Sequence, residues 1–212
     1  MRLSAIELKK FVMFYTGGKN STLALYKMIE KGYEPLELLV MLEEGKEVTW
    51  FNKVNEDLIS KASFALNVNI CLVETSIEDY DELFEEQLIY LKEQGAEACV
   101  FGDIDNIEHK NWCLKRCKKA NIEAIFPLWN EERESLTEEF LKAGFKAIIN
   151  KVENEILDEE LLGKELTREL LKEVKEEKYH TFVIDGPIFN FPIPYEIKEK
   201  NKNDKYCYLI ME

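Results

Sequence analysis

The sequence has little of what disulfide scaffolds or membrane spans require. Its 212 residues include five cysteines, an odd number found mostly in apolar or helical sequence, which favours reduced thiols. No apolar run approaches the roughly 20 residues of a membrane-spanning helix, so no membrane partner is expected. The first residues show no signal-peptide pattern. We therefore expect a cytoplasmic protein.

Positive charge is also in the minority. The chain has 28 Lys and Arg against 42 Asp and Glu, which gives a net charge of -14. Because nucleic-acid backbones attract clustered Lys and Arg, this balance argues against a nucleic-acid partner. A local basic cluster over residues 110–119 nevertheless leaves tRNA open.

Histidine is scarce, and its two positions have alternative interpretations. His109 stands at the polar start of a predicted helix, where a surface role and a catalytic role are equally compatible with the pattern. His180 precedes a buried-looking strand, so a structural hydrogen bond competes with a substrate contact. Cys113 and Cys117 lie one helical turn apart, but no second Cys or His pair has zinc-like spacing, which favours buried thiols.

The strongest positive signal is the segment Tyr-Thr-Gly-Gly-Lys-Asn-Ser-Thr over residues 15–22. An apolar run typical of a buried strand precedes it, and a helical pattern follows. Two glycines let backbone N–H groups approach an anion, the helix N-terminus adds partial positive charge, and Lys19, Ser21 and Thr22 add donors. The alternative is a tight turn that needs glycine for geometry alone. The spacing is not that of a Walker A loop, but it predicts a nucleotide phosphate site.

Strand and helix patterns alternate through the first part of the chain. The predicted strands cover residues 11–15, 36–42, 70–74, 98–102 and 124–129, and the predicted helices cover residues 21–32, 54–66, 77–94 and 112–119. This alternation predicts an α/β fold with a doubly wound parallel five-stranded sheet. Ligands of such sheets bind beyond the carboxyl ends of the strands.

The pattern changes near Asn130, which predicts one domain over residues 1–130 and a smaller α+β lobe over residues 131–212. In the lobe we predict helices over residues 131–143 and 158–175, strands over residues 145–152 and 181–187, and a last hairpin strand over residues 206–210.

The segment after the fourth predicted strand is rich in carboxylates. Asp103 and Glu108 are candidates to contact a metal, an ammonia nucleophile or a substrate amine. The alternative is that an aspartate here caps the next helix. Because the segment follows a strand of the parallel sheet, it belongs to the predicted active-site edge.

Several short motifs, read together, carry a family resemblance. The loop over residues 16–21 has the Gly-Gly-X-X-Ser spacing of the PP-loop of N-type ATP pyrophosphatases. Taken together with five further segments, this loop makes the chain resemble the diphthine-ammonia ligase family over nearly its whole length. The segments are Gly-Asp-Ile at residues 102–104, Pro-Leu-Trp at residues 127–129, and residues 141–147, 161–163 and 179–187. The resemblance implies ATP and Mg²⁺ as cofactors, and an amidation in which ATP adenylates a carboxylate, releases pyrophosphate, and AMP is displaced by ammonia.

The loop chemistry and the resemblance together predict the site residues. The predicted nucleotide site comprises Tyr15, Thr16, Gly17, Gly18, Lys19, Ser21, Thr22, Leu39, Met41 and Gly102. The predicted catalytic residues are Lys19, Asn20 and Asp103, and the predicted substrate residues are Asp103, Glu108, His180 and Thr181. The implied partners are ammonia and a small-molecule or protein-borne carboxylate, with a homodimer as one option.

Two positions depart from the family pattern. Asn20 stands where the PP-loop has aspartate, and residues 175–178 read Lys-Glu-Glu-Lys where the family has Gly-Glu-Asn-Gly-Glu. Two alternatives therefore stand beside the ligase: a nucleotide-binding regulatory protein whose catalysis has lapsed, and a PP-loop enzyme that acts on tRNA.

Overall fold

The computed structural model describes residues 9–174 and 178–212. It confirms the predicted parallel sheet, whose strand order is β3-β2-β1-β4-β5. The strands are β1 (Lys10–Phe14), β2 (Glu34–Glu43), β3 (Asn69–Thr75), β4 (Ala98–Val100) and β5 (Glu123–Ile125). The helices between them are α1 (Lys19–Glu30), α2 (Glu56–Leu66), α3 (Tyr80–Glu93) and α4 (Ile107–Lys119).

The rest of the chain forms an antiparallel sheet of order β7-β6-β9-β8 with short helices. Its elements are α5 (Arg133–Lys142), β6 (Lys146–Glu153), a 3₁₀ turn (Glu159–Leu161), α6 (Arg168–Glu173), β7 (Tyr179–Asp185), β8 (Ile197–Lys202) and β9 (Tyr206–Met211). This sheet agrees with the predicted α+β lobe. The domain boundary near Asn130 stays a prediction.

Two predicted helices differ from the structure more than the others do. The helix expected over residues 158–175 is wrong, because Gly163 adopts a left-handed φ of 82° that interrupts it, and α6 is only six residues long. The last predicted residue, Lys175, lies outside the described residues. Helix α4 begins five residues before the predicted start, since the Asn106 side chain accepts the His109 N–H at 3.0 Å and caps an earlier turn.

The parallel sheet separates two apolar clusters. On one face, α1 and α2 pack against β1 and β2, and the same cluster continues into the second lobe through Phe140, Ile149 and Phe182. On the other face, α3 and α4 pack against Val12, Phe14 and neighbouring residues. The shared cluster fixes β7 against the loop that joins β1 to α1.

Among the helices of the described ranges, none has the length and apolarity to span a bilayer.

Candidate functional site

The loop between β1 and α1 lies at the point where the strand order reverses. Strand β1 pairs with β2 on one side and with β4 on the other, so the connections on its two sides diverge. In open parallel sheets the crevice at this point is where ligands bind. The structure thus places the predicted phosphate segment, residues 15–22, where a nucleotide site is expected; residues 15–18 form the loop, and residues 19–22 begin α1.

Both glycines of the loop are required by their surroundings. Gly17 has a left-handed φ of 75°, and a Cβ there would lie 2.9 Å from Ile59 Cδ1 and 3.1 Å from Phe182 Cδ2. A Cβ on Gly18 would lie 2.5 Å from the Asn52 amide nitrogen. Gly18 is also the N-cap of α1, and it has no side chain of its own to cap the helix. The Lys19 N–H donates to the Thr181 hydroxyl, so an anion at this helix start would be bound by the N–H groups that follow it.

Polar side chains of α1 hold the loop in its turn. The Ser21 hydroxyl donates to the Gly18 carbonyl at 3.1 Å and accepts the Thr16 N–H at 3.3 Å. The Lys19 ammonium donates to the Asn20 side-chain oxygen at 3.1 Å. Lys19 is thus held at the edge of the loop, where it lines both cavities that open there.

Residues of the second lobe and of the β2–α2 connection close the loop. The Lys19 N–H donates to the Thr181 hydroxyl at 3.0 Å, and the Val183 N–H donates to the Gly17 carbonyl at 2.9 Å. The Asn52 amide donates to the carbonyls of Thr16 at 3.1 Å and Thr181 at 3.3 Å. Asn52 therefore ties the loop to β7.

Asn52 was not predicted as a site residue. It lies nine residues beyond the end of β2, and only the general expectation that loops after strands line the site pointed to this region. Asn52 reaches the loop because the connection between β2 and α2 folds back toward β6. There the Asn150 amide donates to the Asn52 carbonyl at 2.6 Å.

Two adjoining cavities open at the loop. A small one of about 80 Å³ is lined by Thr16, Gly18, Lys19, Asn20, Asn52, Tyr179, His180 and Thr181. A second, of about 310 Å³, is lined by Lys19, Asn20, Arg133, Glu153, Lys178, Tyr179, His180, Lys205 and Tyr206. Among the described residues of this lining, four are Lys or Arg and one is a carboxylate. Arg133 is paired with Asp105, and Lys178 and Lys205 lie near Glu153. The lining therefore offers cationic side chains to an anionic ligand.

His180 lines both cavities as a half-buried, neutral imidazole. Burial lowers its pKa to about 3, and the charges of Lys151 and Lys19 act in the same direction. Lys151 faces the same strand pair, and burial lowers its pKa to about 8. His180 is therefore a neutral hydrogen-bonding group at neutral pH, which agrees with a contact role in the predicted substrate site.

Four predicted nucleotide residues have side chains in the protein core. The hydroxyls of Tyr15 and Thr22 lie 3.3 Å apart, and burial raises the pKa of Tyr15 to about 12. Leu39 and Met41 belong to the apolar cluster on the α3–α4 face. These side chains position β1, β2 and α1, and their contacts with a nucleotide stay predictions.

Gly102 contacts the phosphate loop, whereas the acidic residues after it lie further along the sheet edge. A Cβ on Gly102 would lie 2.9 Å from the backbone of both Asn20 and Ser21. Asp103 is paired with His109, with 2.6 Å between Oδ1 and Nδ1, and Glu108 is exposed on the first turn of α4. Neither Asp103 nor Glu108 is among the described residues that line the two cavities, so their substrate roles stay predictions.

Two family models match the chain along most of its length. The model of the diphthamide synthase N-terminal domain matches residues 9–124, and the model of the diphthamide synthase C-terminal domain matches residues 132–212. No curated protein matches the chain. Among solved structures, a predicted subunit of tRNA methyltransferase from Methanocaldococcus jannaschii is similar at 18% identity and a TM-score of 0.49, over 85% of this chain and 98% of that one.

Proposed function

Because this chain belongs to the diphthamide synthase family, a family of PP-loop enzymes that use ATP, we propose that it joins ammonia to a carboxylate. In this proposal ATP is cleaved to AMP and pyrophosphate. The acceptor is a small-molecule or protein-borne carboxylate, and a cytoplasmic location and a homodimer are parts of the same proposal.

One observation carries the proposal: the first turn of α1, its two sterically required glycines and Lys19 form a donor-rich loop at the reversal point of the sheet. Thr181 and Val183 of the second lobe are hydrogen-bonded to this loop. An anion bound at the loop and an acceptor held by the second lobe would therefore be neighbours, as transfer to the α-phosphate requires.

The chain's residues contribute mainly positioning and charge in such a reaction. A carboxylate oxygen of the acceptor attacks the α-phosphorus, and the bond between that phosphorus and the bridging oxygen breaks to release pyrophosphate. Lys19 and the backbone N–H groups of the loop stabilise the charge that grows on the leaving group. Ammonia then attacks the acyl carbon, loses a proton, and the phosphate oxygen of AMP leaves with the bonding electrons.

The loop fits phosphate better than it fits a directly bound Mg²⁺. Mg²⁺ prefers one or two carboxylates together with substrate phosphates. Among the described residues that line the small cavity there is no carboxylate, and the Asn20 side-chain oxygen is neutral and already accepts from Lys19. When bound, Mg²⁺ would neutralise phosphate charge, and the side-chain oxygens of Asn20 and Thr16 are neutral ligands that this lining offers it.

Because the Asn20 side chain is neutral and Mg²⁺ prefers carboxylates, Asn20 also favours the second candidate, a nucleotide-binding regulatory protein with lapsed catalysis. The third candidate, action on tRNA, has less support. Cys113 and Cys117 are buried. Arg116 and Lys119, two residues of the basic cluster, already form ion pairs with carboxylates of α3.

The test is to incubate the full chain with ATP, Mg²⁺, ammonium and a panel of carboxylates, and to measure AMP and pyrophosphate. Lys19→Met is expected to abolish product formation, whereas Lys31→Met, a matched change at the exposed end of α1, should leave it intact. ADP and phosphate as products would overturn the proposal, as would a failure to bind ATP. Tight ATP binding without pyrophosphate release would favour the regulatory alternative.

A further inference from the structure

Three different metal-ligating side chains meet where β4 ends and α4 begins. The carboxylate of Asp103, the imidazole of His109 and the thiol of Cys113 place their ligand atoms within 4.8 Å of one another. His109 and Cys113 are one helical turn apart on α4, and Asp103 comes from the loop before it. We propose that these three residues bind one divalent transition-metal ion of the zinc type.

The distances suit a tetrahedral ion. With a zinc–nitrogen distance of about 2.05 Å and a zinc–sulfur distance of about 2.3 Å, tetrahedral geometry puts nitrogen and sulfur about 3.6 Å apart. The His109 Nδ1 to Cys113 Sγ distance is 3.7 Å. The Asp103 oxygen lies 2.6 Å from the same nitrogen, so it must retreat by about 0.8 Å, which a small side-chain rotation provides.

The donor set selects against the hard cations that accompany nucleotides. Mg²⁺ and Ca²⁺ take oxygen ligands, whereas thiolate and imidazole favour Zn²⁺ and the ions that resemble it. Only one of the three ligands here is a carboxylate. The site is therefore distinct in chemistry from a Mg²⁺ site at the phosphate loop.

The surroundings fix the ligands and leave one side open. The His109 ring is stacked on Trp112, with 5.5 Å between centroids, and the backbone N–H of His109 donates to the Asn106 side-chain oxygen at 3.0 Å. Cys113 is fully buried, while the Asp103 and His109 side chains are 14% and 24% exposed. An ion bound here would have protein ligands on its inner side and a position for water or a ligand on its outer side.

Binding changes the protonation of the Cys113 thiol. Burial, with the nearby Asp103 charge, raises the pKa of the Cys113 thiol, so the thiol is protonated in the absence of an ion. The metal–sulfur bond replaces the S–H bond, and that proton leaves to solvent. Nδ1 of His109 would be the imidazole ligand, since it lies toward Asp103 and Cys113.

The test uses Co²⁺ as a spectroscopic probe of the full chain. We expect one Co²⁺ per chain, a thiolate-to-cobalt charge-transfer band in the near ultraviolet, intense visible bands typical of tetrahedral Co²⁺, and displacement by Zn²⁺. Calorimetry in buffers of different ionisation enthalpy should report the release of the thiol proton. Cys113→Ser should abolish the charge-transfer band. The matched control is Cys117→Ser, one turn further along α4 and equally buried, which should retain it.

A second pair of variants keeps the proposal testable if Cys113→Ser does not fold. Loss of an outer-shell partner alone weakens metal sites by about 10–100-fold, so His109→Gln and Asp103→Asn, which remove direct ligands, should weaken Co²⁺ binding by more than about 100-fold. The proposal is overturned if the wild type shows no charge-transfer band. It is also overturned if the band depends on Cys117 instead of Cys113, or if His109→Gln and Asp103→Asn bind as the wild type does.

Discussion

The backbone N–H of Lys19 donates to the side-chain hydroxyl of Thr181 at 3.0 Å, a contact between residues 162 positions apart. Lys19 opens α1, and Thr181 lies in the middle of β7, so the antiparallel lobe supplies a capping oxygen to the helix of the parallel sheet. Helix N-termini are stabilised by such acceptors. The approach of the two lobes and the shape of the phosphate loop are therefore coupled.

Thr181→Val keeps the shape of the side chain and removes the acceptor of the Lys19 N–H. Taking one partner from a buried hydrogen bond destabilises a protein by about 1–3 kcal/mol, and we expect that loss in the free energy of unfolding measured in urea. Thr181→Ser keeps a hydroxyl and should lose less. Equal stability of the Val and Ser variants would contradict a capping role for the hydroxyl.

Gly102→Ala should damage the phosphate loop by steric contact. The new Cβ would lie 2.9 Å from the backbone of Asn20 and Ser21, and backbone atoms cannot move aside as a flexible side chain can. We expect a destabilisation of about 1–3 kcal/mol and weaker ATP binding by calorimetry. Gly45→Ala is the control, because it meets only the strain of a left-handed φ of 68° in open space, and its ATP affinity should equal that of the wild type.

His180 should make the protein sensitive to mild acid. Its pKa is about 3 in the folded chain against 6.5 when unfolded, so between these values the unfolded state binds the proton and stability falls as the pH falls. Between pH 7 and pH 5 this amounts to about 2 kcal/mol. His180→Gln should therefore lose about 2 kcal/mol less than the wild type over this range in urea unfolding measured at both pH values. Parallel losses in both proteins would show that His180 is solvated in the folded state.

The fold was predictable from the sequence because its signals are local. The five parallel strands are short apolar runs, and each intervening helix has its own amphipathic pattern, so their order alone implied the doubly wound sheet. The exception is the segment over residues 158–175. Its charged composition favours a helix, but the left-handed Gly163 and a bridge between Glu165 and Ile148 of β6 end the pattern, and such tertiary pairing leaves no local signal.

The site was predictable only in part. The phosphate loop was found because its glycines, lysine and hydroxyls are consecutive in the sequence. The contacts of Asn52 with Thr16 and Thr181 depend on how distant segments fold together. The pairing of Asp103 with His109 is local, but it depends on the earlier start of α4. Conversely, Tyr15 and Thr22 were grouped with the loop by position, whereas their side chains point into the core.

Asn52→Asp tests the amide that ties the loop to β7. The substitution replaces a donor with a carboxylate facing two carbonyl oxygens, and its charge would lie beside the bound phosphates. We expect ATP affinity to fall by more than about tenfold, equivalent to about 1.4 kcal/mol. Asn154→Asp, at an exposed amide–carbonyl bond to Asn203, is the control and should leave the affinity unchanged. Unchanged affinity in Asn52→Asp would place the phosphates away from this side of the loop.

Asn20→Asp tests whether the amide limits metal-assisted turnover. The side-chain oxygen already lies 3.1 Å from the Lys19 ammonium, so a carboxylate would form an ion pair there without rearrangement, and it would offer Mg²⁺ an anionic ligand. We expect half-saturation with Mg²⁺ at a concentration lower by about tenfold, and faster pyrophosphate release. The ion pair also opposes this gain, because it neutralises the lysine that binds phosphate. If ATP affinity falls while the Mg²⁺ dependence stays the same, the carboxylate pairs with Lys19 alone, and position 20 serves to orient the lysine.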